Sequence, residues 1–205
     1  MAAGLCSAAA FCAGLGTTLD RVRFPAELLI VQGDLQRLIF LDRLSPDERL
    51  GLEGRIGSAL GGIEWLALEY EALTKSTVSR DALQRLQECW LTRDLASALE
   101  RVSGLARNHS LNVGIFSPDR ATLDDVGRVQ EIDAQLCQGC HIDSVGAAKT
   151  LPAYRLQDMT RVISGKEFLA RLLSGVRGTA ETSLANPLSL GDIRGFMKLY
   201  RAAAD

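Results

Sequence analysis

Residues 136–143 read L-C-Q-G-C-H-I-D, which sets Cys137 and Cys140 three apart and His141 directly after the second thiol. The whole chain of 205 residues has only five cysteines and two histidines, so this meeting is not what scattered composition yields. Two thiols on one helical turn can each add to a vinyl group of a porphyrin, and the adjacent imidazole then lies under the iron. C-x-x-C-H is the spacing of c-type haem attachment. Other chemistries use some of the same residues. A redox dithiol wants a βαβ setting, a structural zinc site wants a fourth ligand from a second Cys or His pair, and a plain disulfide or a coincidence of composition wants neither. Haem attachment is the reading that employs all three side chains.

The elements around the motif are expected to be helical. Thr122 opens a helix with Asp124 and Asp125 in its first turn, where carboxylates suit the positive end of the helix. Val126, Val129, Ile132 and Leu136 form an apolar stripe that runs into Cys137. Further helices are predicted over about 165–173 and from Ser189, the last carrying Ile193, Phe196, Met197 and Tyr200.

With these residues in place, 122–204 resembles a small class I cytochrome c domain. Such domains have a helix running into C-x-x-C-H, a proline-bearing loop, and a closing helix with aromatics that crosses the first. The resemblance implies one covalent haem c held by Cys137 and Cys140, with His141 as proximal iron ligand. It implies that the Pro152 carbonyl accepts the imidazole N–H, that Leu156 packs on the haem, and that Phe196 and Tyr200 face the first helix across Gly127. The family's distal methionine is missing from its usual place, where G-T-A-E-T-S-L-A-N-P-L-S stands. Met159, after the proline loop, and His109, in R-N-H-S-L-N, are the candidate distal donors, with an open iron face as the third arrangement.

Upstream, residues 25–110 are expected to form a three-helix antiparallel bundle: one helix from Pro25, one from Ser45-Pro46-Asp47-Glu48 to about Leu73, and one from Ser79 to about Asn108. Gly54, Gly57, Gly61 and Gly62 in the second helix reduce its propensity, which anticipates close approach of a neighbouring helix. Residues 1–20 hold the apolar run L-C-S-A-A-A-F-C-A-G-L, a candidate trimmed signal segment, which fits an exported, periplasmic protein. After residue 20 no apolar run is long enough for an integral membrane span. The fold expected is therefore all-α, a helical bundle at 25–110 followed by a cytochrome c-like haem domain at 121–205.

Composition narrows the function. A net charge of −2 with scattered basic residues gives no footprint for nucleic acid. No Ser/His/Asp set, phosphate-binding glycine loop or catalytically spaced carboxylate pair is visible, so an electron carrier meeting redox partner proteins is expected ahead of an enzyme. The alternatives are a haem-based gas sensor or small redox enzyme with an open iron face, and a cofactor-free helical interaction module.

Overall fold

The computed structural model of the chain describes residues 7–42, 44–141, 156–174 and 188–200. Among the described residues the architecture is all-helical, without strands. Helix α1 (Ser7–Phe40) is the axis of the molecule. It passes straight through Pro25, where the sequence pattern anticipated a start. The proline leaves the Arg21 carbonyl without its usual donor, and Arg21 is exposed, so water can take its place.

Both sides of α1 are buried. One side carries Phe24, Leu28, Val31, Leu35 and Leu38 into a core shared with α2 (Pro46–Thr74), α3 (Arg80–Leu91) and α4 (Leu95–Asn108). The other side carries Val22, Ala26 and Ile30 into a second core with Leu111, Phe116, Phe168, Leu169, Leu173, Ile193 and Met197. That second core draws on α8 (Gly165–Ser174) and α9 (Leu190–Leu199). The segment around Ser110–Ala121 is thus more than a connector: it forms two 3-10 turns, Gly114–Phe116 and Pro118–Arg120, and buries Phe116 completely.

Local sequence sets most of the helix ends. Ser45 and Glu48 form the capping box that starts α2, and Lys75 closes it in the left-handed conformation, at φ 60°. Where one helix was expected from Ser79 to Asn108, there are two. Arg93 takes φ 62° and Asp94 caps the Ser97 amide, so the chain stops after Leu91 and restarts at Leu95. The region therefore packs as four helices, α1–α4.

The two sides are tied by buried charge. Asp34 of α1 accepts from Arg37, from Arg55 of α2 through Nε and Nη2 (3.0 and 3.1 Å), and from Arg171 of α8 at 2.7 Å. Glu167 accepts from Arg37 at 2.7 Å and from Arg171. Burial alone would raise the Asp34 carboxyl, but Arg55 and Arg171 outweigh it and hold the group below its ordinary range. Gly33 makes this possible, because a Cβ there would run into the Glu167 carboxylate.

Candidate functional site

Helix α5 (Leu123–Ile132) begins at a capping box made by Thr122 and Asp125. It packs along α9, whose own capping box is Ser189 with Asp192. The glycine of this crossing is not Gly127, which is exposed and has nothing near its would-be Cβ. It is Gly195 of α9, where a Cβ would stand 2.7 Å from the Asp125 carbonyl oxygen and 2.9 Å from Val129. The crossing expected from the sequence is present, with its small residue on the opposite helix.

After Ile132 the chain widens into a π-helical turn, Asp133–Cys137, and then resumes as the short helix α6, Gln138–His141. The extra residue in the turn shifts the phase of everything that follows. Leu136, expected on the inward stripe, turns outward and is 71% exposed. The inward positions become Val129, Asp133, Cys137 and His141, four apart on one face. Asp133 is buried, and Cys137 and His141 are half-buried.

Asp133 anchors the turn. It accepts from Gln138 Nε2 at 3.0 Å and from the Tyr200 hydroxyl. The Tyr200 ring stacks on Phe196, with centroids 6.3 Å apart, and meets Phe168 edge-on at 5.9 Å. Burial, then the Asp133 carboxylate, then the neighbouring Cys137 push the Tyr200 hydroxyl above its ordinary range. Tyr200 thereby couples the end of α9 to the turn that carries the first thiol. Asp133 and Tyr200 were not singled out for this role in the sequence. The available signal was a carboxylate four residues ahead of Cys137 in an otherwise apolar stripe.

The other expected site residues are distributed as follows. Leu156 opens α7 (Leu156–Val162) and packs, half-buried, against the second core, with half-buried Met159 on the same helix. His109 caps the C-terminus of α4, its N–H bonded to the Leu105 carbonyl at 2.9 Å. Its ring meets Phe24 at 5.6 Å and Tyr70 at 5.7 Å, which seats it among α1, α2 and α4. The two candidate distal donors therefore belong to different sides of α1. Pro152 lies outside the described residues, and of Cys140 only the helical backbone is described. Among the described residues no three His, Cys, Asp or Glu side chains gather as a metal site.

Cys137 and His141 share one face of a continuous helical run, Cys140 precedes His141 on the same turn, and the helix that leads into them packs on α9, with Tyr200 bonded to Asp133 of the π turn. Comparison with family models, with curated proteins and with solved structures finds no match for this chain.

Proposed function

We propose that the chain is an exported c-type cytochrome that carries single electrons between redox partner proteins through one haem c. The observation that carries this reading is the C-x-x-C-H run on a helical turn whose phase turns Cys137 and His141 to the same face. Bound haem supplies a one-electron iron couple. The chain supplies the rest. Cys137 and Cys140 are the thioether anchors, and His141 is the proximal ligand, oriented by its place on the turn and by Pro152. Asp133, Gln138 and Tyr200 hold the π turn so that the Cys137 sulfur has a fixed position. Leu156, which packs against the second core, would cover the haem as the resemblance implies.

The distal donor sets the potential. Met159 as the second donor would raise it, His109 would lower it, and an open iron face would admit a small ligand. His109 is packed between Phe24 and Tyr70 and would have to leave them to serve.

Coexpression with a cytochrome c maturation system should give a pigmented protein with a pyridine haemochrome spectrum and a mass increased by one haem. Cys137→Ala with Cys140→Ala should abolish both. A folded wild-type product without pigment, its thiols free or bridged together, overturns the reading.

A further inference from the structure

Helix α2 is apolar on two faces, and only one of them is used. The inner face buries Leu52, Ile56, Ala59, Leu60, Ile63 and Ala67 in the first core. The outer face runs Asp47, Leu50, Gly54, Ser58, Gly61, Trp65, Leu68 and Ala72, in steps of three and four, with the capping residue Lys75 just beyond its end, and every one of these residues is exposed. Leu50 is 69%, Trp65 58% and Leu68 57% exposed. Exposed Glu64 borders the stripe, which otherwise carries no charge between Asp47 and Lys75. Gly54 and Gly61 have nothing within reach of a would-be Cβ, so the close helix approach anticipated for them is not made among the described residues. A helix that is apolar all round is ordinarily covered all round.

We infer that the outer face of α2 docks on the same face of a second copy of this chain, antiparallel, about a twofold axis at Gly61. The face complements itself in charge and in size only in that arrangement. Reversing the helix about residue 61 brings Asp47 of one copy to the C-terminal end of the other copy's helix, where Lys75 stands, at both ends of the contact. It sets Leu50 against Ala72, Leu68 against Gly54, Trp65 against the Gly57–Ser58 step, and Gly61 against itself. Each large side chain meets a small one, and the glycines provide the hollows. A parallel pairing would put Trp65 on Trp65, Asp47 on Asp47 and Lys75 on Lys75. Arg23 lies over the Trp65 ring at 5.9 Å and braces it from the side.

The dimensions fix the strength. The stripe is about 42 Å long and one helix, about 10 Å, wide, a footprint of about 400 Å² per copy. A standard interface takes about 800 Å² per partner, so this dimer belongs to the weak, exchanging class, with dissociation in the micromolar range.

Sedimentation velocity of the full chain from about 5 to 200 μM tests this, across the range expected for such an interface. The weight-average mass should rise toward that of a dimer, and Leu68→Glu should hold it at the monomer with an unchanged circular dichroism spectrum. Gly61→Cys should form a disulfide linking residue 61 of the two copies, mapped by peptide mass, since closely packed backbones on the axis meet the Cα separation that bond requires. Asp47→Lys should weaken the dimer about three- to tenfold, and adding Lys75→Asp should restore it, as two exposed ion pairs are lost and remade. A monomer at every concentration overturns the inference. So does a dimer that Leu68→Glu leaves intact and Gly61→Cys does not link.

Discussion

The two sides of α1 are built by different means. On the α2–α4 side the helices are long or closely linked, and every start has its own side-chain cap: Ser45, Ser79 and Asp94. The core there is a continuous apolar cluster. On the other side α5, α8 and α9 have ten residues each and α7 has seven. Isolated helices below about 12–15 residues are marginal in water, so these take their helicity from packing on α1 and on one another. Their fixing contacts are far apart in sequence: Arg171 with Asp34, Arg37 with Glu167, Arg194 Nε on the Ile115 carbonyl at 2.7 Å. Local caps start helices on both sides, but those of the second side are shorter and lean more on contacts distant in sequence. The turn with Cys137, Cys140 and His141 stands on the second side, where a covalently attached cofactor would contribute most.

The largest break in this comparison is expected at Asp34. Asp34→Asn removes the carboxylate that faces Arg37, Arg55 and Arg171, and leaves the three cations without their shared acceptor. Loss of one partner from a buried ion-pair set costs about 3–5 kcal/mol, and the partial exposure of the three arginines places this case at about 3. Urea denaturation measures the loss, and hydrogen exchange should show α8 released before α2. Because the native carboxyl is held below its ordinary value, its stabilisation is present above that value and disappears as pH falls through the native one. A loss under about 1 kcal/mol would mean that apolar contacts alone join the two sides.

A smaller and more local effect separates two glycines. Gly195→Ala forces a methyl group against the Asp125 carbonyl and Val129, neither of which can retreat without moving α5, and should cost about 1–3 kcal/mol. Gly127→Ala adds a methyl group in open space on an exposed helix and should stabilise by about 0.5–1 kcal/mol. Melting temperatures moving in opposite directions would show that α9 supplies the close approach. Equal shifts would dissolve the distinction.

These positions show what the sequence could and could not disclose. Helix starts at Ser45, Ser79, Thr122 and Ser189 were legible because a cap acts within four residues. The break at Thr92–Asp94 was missed because leucines on both sides of it kept the helical rhythm, and the left-handed Arg93 announces itself by no residue type. The phase shift at Asp133–Cys137 was invisible for a related reason: Leu136 fits a regular helix, and only the packing of α9 and Tyr200 favours the wider turn. The C-x-x-C-H run could be picked out because its spacing is local. Asp34, Glu167 and Gly33 were not, since their meaning lies in a contact about 130 residues away along the chain. Of the α2 glycines, which anticipated a neighbouring helix, Gly57 faces Trp90 of α3, while Gly54, Gly61 and Gly62 meet none among the described residues.

The smallest effect belongs to the α2–α4 side. His109 is partly buried between Phe24 and Tyr70. Burial lowers its proton affinity, and the Glu71 carboxylate, itself engaged by Val78 N–H and Arg80, offsets only part of that. The folded protein therefore binds the His109 proton less tightly than the unfolded chain does. The stabilisation is complete above the unfolded value, about pH 6.5, and declines as pH falls toward the lower native value. The urea midpoint should accordingly drop modestly between about pH 7.5 and pH 5.5. His109→Phe keeps a ring against Phe24 and Tyr70 but cannot titrate, and should flatten the dependence. Hydrogen exchange should place the loosening at the C-terminus of α4 and the facing turn of α1, with α5 and α9 unchanged. A slope that survives His109→Phe would take the pH sensitivity away from the Phe24–Tyr70–His109 cluster and from the α2–α4 side of α1.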